Sequence, residues 1–133
     1  MKIKKIDHIG IAVNTLNEAL PVFEKVFNMD CNKRETVTSE GVETAFFVLG
    51  ETKIELLQPI TDKSALKKSL NKRGQGMHHI AIQVENIEEE MERLSREGFT
   101  LLSETPKKGA NNKLVCFIHP KDTCGVLIEL CQG

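Results

Sequence analysis

The chain has no tryptophan and no tyrosine among its 133 residues. Aromatic cages and base-stacking platforms usually draw on those two residues, so neither is expected. No apolar run approaches the roughly 20 residues a membrane-spanning helix needs. The N-terminal MKIKKIDHIG is basic but lacks the apolar stretch of a secretory signal. A basic surplus is missing as well: 18 Lys and Arg face 19 Asp and Glu, for a formal net charge of −1. Neither a nucleic-acid nor a membrane partner is therefore expected. The four cysteines, Cys31, Cys116, Cys124 and Cys131, form no C-x-x-C pair. That excludes a zinc ribbon and a thioredoxin-like motif. Three of them lie in apolar stretches, which fits reduced thiols and a cytoplasmic protein. The glycines form no Walker or Rossmann pattern.

What is present is a soluble composition, 40% hydrophobic and 28% charged. The length suits one ordinary domain, or two very small modules sharing a core. An internal repeat favours the second arrangement. Segment 7–13, DHIGIAV, matches segment 78–84, HHIAIQV, at an offset of 71 residues. His8/His79, Ile9/Ile80, Ile11/Ile82 and Val13/Val84 coincide, and both segments alternate as half-buried strands do. Each precedes a helical pattern. Leu16, Leu20, Phe23 and Phe27 recur at spacings of three and four, as do Ile87, Met91 and Leu94. Asn14 or Thr15, and Asn86, stand at helix N-cap positions, and Gly98 stands where a helix ends.

The halves also close alike. KIELLQ (53–58) and LIELCQ (127–132) share Ile-Glu-Leu and a later Gln. An apolar run precedes each, Ala45 to Leu49 and Leu114 to Ile118, with turn residues between: Gly50-Glu51 in the first half, Pro120-Lys121-Asp122 in the second. Each half therefore reads strand, helix, strand, strand, strand. Residues 61–76 connect them, with Leu66 and Leu70 marking a short helix. The expected fold is α+β: one domain over 1–133 made of two βαβββ modules, 1–60 and 77–133. The two modules pair around a metal-containing cavity.

His8 and His79 open matching strands, and Glu55 and Glu129 sit on matching closing strands. One histidine at a strand start is usually just a hydrogen-bonded residue. Alternation sets each Glu opposite its flanking Ile and Leu, and a carboxylate buried there needs a partner. A divalent metal satisfies all four residues at once. Two imidazoles and two carboxylates suit Co, Ni, Mn, Fe or Zn better than Ca or Cu(I). Four protein ligands on an octahedral ion leave two positions for water or substrate. Asp7 and His78 are excluded as ligands, because they align with each other and face the other way.

At these residues the chain resembles the vicinal oxygen chelate (glyoxalase/bleomycin resistance/dioxygenase) superfamily. It resembles most its methylmalonyl-CoA epimerase members. The resemblance spans essentially the whole chain through DHIGIAV, GETKIELLQP (50–59), KRGQGMHHIAIQVENI (72–87), KKGANNKLVCFIHPKD (107–122) and GVLIEL (125–130). It implies a glyoxalase-like fold and one divalent metal ion (Co, Ni, Mn or Zn) on His8, Glu55, His79 and Glu129. It implies epimerisation of (2R)- and (2S)-methylmalonyl-CoA, an acyl-CoA thioester, by abstraction of the C2 proton through a metal-stabilised enolate. A homodimer is also implied. Glu129 and Glu55 are then the candidate catalytic bases, whereas Glu43 faces the other side of its strand. Lys113 and Lys121 are candidate contacts for the CoA phosphates. The alternative is glyoxalase I (lactoylglutathione lyase) chemistry on a glutathione hemithioacetal, which uses the same ligand set. A dioxygenase fits less well, because a fourth protein ligand crowds out oxygen.

Overall fold

The computed structural model describes residues 2–133 and contains eight strands and three α-helices among them. They fall into two compact units. One is Ile9–His78; the other is His79–Gly133 with the N-terminal residues through His8. The division passes inside strands β1 (Ile3–Ala12) and β5 (Gly76–Val84), not through the connector between them.

In the unit Ile9–His78 the strand order is β2 (Lys33–Val37), β3 (Val42–Leu49), β4 (Thr52–Pro59), then the end of β1. The β3–β4 hairpin closes on Gly50-Glu51, with Leu49 opposite Thr52 and Gly50 at φ 67°. A positive φ is cheap for glycine, which is why the turn sits there. Helix α1 (Leu16–Phe27) starts at Thr15, whose hydroxyl accepts from the Glu18 N–H. Of the two candidate caps Thr15 is the one used, and the Asn14 N–H goes to the Gln75 side chain instead. The α1 stripe packs Leu16, Ala19, Leu20, Phe23 and Phe27 onto Ala45, Phe47 and Leu56. Each fully buried Leu or Phe there contributes about 1.5–3 kcal/mol. Helix α2 (Ala65–Arg73) follows a Ser64 cap and buries Leu66 and Leu70, as their spacing predicts.

In the other unit the order is the start of β1, then β5, β8 (Ile128–Gln132), β7 (Leu114–Ile118) and β6 (Lys107–Lys108). Helix α3 (Ile87–Arg96) is capped by Asn86, which accepts from the Glu89 N–H, and ends before Gly98 at φ 93°. Its Ile87, Met91 and Leu94 pack on Val84, Cys116, Ile118 and Leu130. Ala81, Val115 and Cys131 form a separate cluster. The expected second strand of this half shrinks to two residues, Lys107–Lys108. The segment before it, SETP, offers turn formers and a proline in place of an apolar alternation.

The repeated glutamines do the same work in both units. Gln58 on β4 accepts from the Leu16 N–H at 2.8 Å, and Gln132 on β8 accepts from the Ile87 N–H at 2.7 Å. Each satisfies a first-turn helix N–H that has no partner within the helix. All four cysteines are free thiols, with Cys116 and Cys131 buried and Cys124 exposed. Among the described residues no helix is long and apolar enough to cross a membrane.

Candidate metal centre

β5 and β8 run parallel, with Ala81 beside Glu129, and β7 places Phe117 opposite Glu129. Ile82, Ile128 and Leu130 turn to α3. Alternation turns His79 and Glu129 to the opposite face, as the Ile-Glu-Leu pattern predicts. His8 from β1 meets them there. His8 Nε2 lies 3.0 Å from His79 Nε2 and 3.5 Å from Glu129 Oε1. His79 Nε2 lies 3.1 Å from the same Glu129 oxygen. The imidazoles meet edge to face at 88°, and Phe117 packs edge-on against His79 at 5.6 Å between centroids. All three donors are buried.

Those spacings fit a metal ion. Nitrogen and oxygen ligands sit about 2.0–2.2 Å from a zinc-like ion, so ligands at a right angle lie about 3 Å apart. Two imidazole nitrogens and a carboxylate oxygen at 3.0, 3.1 and 3.5 Å are the edges of such a triangle. Burial alone would raise the Glu129 pKa. Hydrogen bonds from His79 and His8, and the charges on both, outweigh it and bring the carboxyl from its ordinary 4.5 to about 2. Glu129 is therefore an anion, the form in which a carboxylate binds a metal.

Of the four expected ligands, these three come together. Glu55 is buried on β4 in the other unit, opposite Phe46 on β3. That pair repeats the Phe117–Glu129 pair of its counterpart. Glu43 lies in register with Gln58 on the α1-facing side of β3, and its carboxylate binds Arg34 at 2.9 Å. Thr44, the residue on Glu55's side of that strand, is buried and donates to the Glu35 carbonyl.

Asp7 is the residue the sequence reasoning missed. It is no member of the triad, yet it is 2% exposed and its Oδ2 lies 2.8 Å from His8 Nδ1. Its Oδ1 binds Lys113 Nζ at 2.5 Å. Lys113, expected at the substrate's phosphates, thus has its ammonium on a buried carboxylate and on Gln83 Oε1. The signal that could have found Asp7 is chemical, since a buried ligating imidazole needs an acceptor at its second nitrogen. Lys121 is exposed on the Pro120–Asp122 turn, where its N–H bonds to His119 Nδ1.

The family profile of the glyoxalase/bleomycin resistance protein/dioxygenase superfamily matches residues 7–117. The mitochondrial methylmalonyl-CoA epimerase of Dictyostelium discoideum is 40% identical over 129 residues, 96% of this chain and 78% of that protein. The ethylmalonyl-CoA/methylmalonyl-CoA epimerase of Cereibacter sphaeroides is 37% identical, over 98% of both chains. Among solved structures, a Streptomyces coelicolor methylmalonyl-CoA epimerase in complex with 2-nitronate-propionyl-CoA superposes with a TM-score of 0.95. It is 30% identical, covering 98% of this chain and 95% of that one. These relatives are epimerases, a kind of isomerase, and the mixed α+β fold is theirs. With the family profile covering most of its length, the chain belongs to the glyoxalase/bleomycin resistance/dioxygenase superfamily.

Proposed function

We propose that this protein is a divalent-metal-dependent epimerase of methylmalonyl-CoA, exchanging the C2 proton between the (2R) and (2S) forms. The observation that carries this reading is the buried His8–His79–Glu129 triad, found in a chain whose relatives of 37–40% identity are epimerases of that substrate. A triad of two His and one carboxylate also suits iron oxygenases. The relatives named as epimerases support the epimerase reading instead.

His8 Nε2, His79 Nε2 and Glu129 Oε1 would hold the ion, with Glu55 the fourth ligand. A bound ion would supply Lewis-acid charge at the substrate's thioester and carboxylate oxygens. Glu129 has one oxygen, Oε1, against both imidazoles, and Oε2 is the atom assigned to take the C2 proton on one face. A carboxylate held by a metal is a weak base, so Glu129 would have to loosen as substrate binds. Glu55 serves the opposite face. Lys121 is the cation assigned to the CoA phosphates, because its side chain is exposed. Cobalt or nickel, a homodimer and a cytoplasmic location complete the proposal. Light scattering of the purified protein tests the dimer.

The substrate assignment is tested by turnover. Cobalt-loaded protein is expected to epimerise methylmalonyl-CoA and to leave the hemithioacetal of methylglyoxal and glutathione untouched. Turnover of the hemithioacetal alone would replace the epimerase with glyoxalase I chemistry.

A further inference from the structure

The two oxygens of one buried carboxylate face a histidine and a lysine. Asp7 Oδ2 faces His8 Nδ1, and Asp7 Oδ1 faces Lys113 Nζ. An ionised carboxylate only accepts, so the proton of that first contact sits on His8 Nδ1. In the neutral ring that a metal requires, the lone pair is then on Nε2, the atom that meets His79 and Glu129. The other tautomer would set a lone pair against the carboxylate and a proton where a ligand atom is needed.

Lys113 is built into place. Asn111 and Asn112 take left-handed conformations at φ 57° and 58°, which asparagine tolerates better than most residues. They turn the chain so that the Lys113 N–H bonds to the Ala110 carbonyl and its own carbonyl accepts from Gly109. Its ammonium also reaches Gln83 Oε1 at 3.3 Å, and Gln83 Nε2 donates to the Gly133 carbonyl at 3.0 Å. The Lys113 side chain is only 16% exposed, whereas a lysine waiting for a phosphate group would stand in solvent. A carboxylate as buried as Asp7 needs charged or hydrogen-bonding partners, and Lys113 is one.

We propose that Lys113 and Asp7 are a positioning pair for His8. Lys113 holds the Asp7 carboxylate, and Asp7 holds the imidazole in its Nδ1–H tautomer with Nε2 turned to His79 and Glu129. The proposal rests on the metal reading of His8 and assigns Lys113 a task away from CoA.

The test is cobalt titration by calorimetry without substrate, on metal-free wild type, Lys113→Met and Asp7→Asn, each first shown by thermal melting to be folded. Each variant is expected to bind cobalt about 10–100-fold more weakly. The double variant is expected to be no worse than Asp7→Asn alone, because both act along one path. Unchanged cobalt affinity in Lys113→Met, with a raised KM for the CoA thioester, would overturn the proposal and return Lys113 to the substrate. A nitrogen-15 spectrum of the metal-free wild-type imidazoles gives a readout that does not depend on metal binding. The His8 Nδ1–H is expected as a slowly exchanging signal, assigned by its loss in Asp7→Asn. Its absence overturns the pairing. If wild type takes up no cobalt, the metal reading fails, while this signal still decides whether Asp7 holds His8.

Discussion

The two compact units share a plan and differ in what they carry. Each docks one amphipathic helix on a strand set, caps that helix with a glutamine from its closing strand, and sets a Phe opposite a Glu. In Ile9–His78 the closing hairpin has two eight-residue strands around fully buried Phe47 and Leu56. In its counterpart the strands have five residues, and the edge strand has two. Both histidines belong to that second unit, although His8 is encoded 71 residues before His79. The unit with the shorter strands thus holds the donors, and the unit with the larger apolar hairpin holds one buried Glu. A repeat in sequence need not be the compact unit in space, because β1 contributes its start to one unit and its end to the other.

The largest expected effect breaks the comparison at the donors. His79→Ala is expected to lose cobalt uptake and at least about a thousandfold of C2 exchange, as removal of a charge-stabilising group does. Glu55→Gln is expected to keep cobalt bound, with weaker affinity, and to lose less exchange. Metal analysis beside deuterium exchange measures both. Equal losses would make the two units equal contributors.

Next comes the apolar contrast. Phe47→Ala empties a site that is fully buried, and is expected to cost about 3–5 kcal/mol in urea unfolding. Val115→Ala, in the small cluster with Ala81 and Cys131, is expected to cost less.

The glutamines sharpen the likeness instead. Gln58→Ala and Gln132→Ala are each expected to cost about 1 kcal/mol by loss of a first-turn helix bond. Similar values in thermal melts would show that the repeat preserves this device in both halves. A large value at one site alone would show that the devices have diverged.

Much of this was legible in the sequence because period-2 alternation reports faces directly. Ile-Glu-Leu placed both carboxylates opposite the helix side, and Leu16/Leu20/Phe23/Phe27 marked the packed stripe of α1. β2 was harder to see. KRETV is charged along its length, as an edge strand often is, and carries no apolar alternation. The contact of Asp7 with His8 was hidden for the same reason that made the rest readable. Alternation sends neighbours to opposite faces, yet the short Asp7 side chain reaches the ring of the residue beside it. Its second partner, Lys113, lies 106 residues away, and no local pattern announces such a pair.

The smallest expected effect is in acid. Glu129 in the folded, metal-free protein has a pKa of about 2, below its ordinary 4.5. A carboxyl depressed on folding contributes stability that is present above about pH 4.5 and is lost as pH falls toward 2. Acid unfolding of metal-free Glu129→Gln is therefore expected to be flatter across that window than that of wild type.

The measurement that bears hardest on this account is metal content together with deuterium exchange at C2 of methylmalonyl-CoA. It is made on chelator-free protein, on chelator-stripped protein and after cobalt is restored. The account predicts about one ion per chain, exchange that vanishes with the metal, and its return with cobalt. Exchange that continues at full rate in metal-free protein, or a chain that binds no divalent ion, would contradict it.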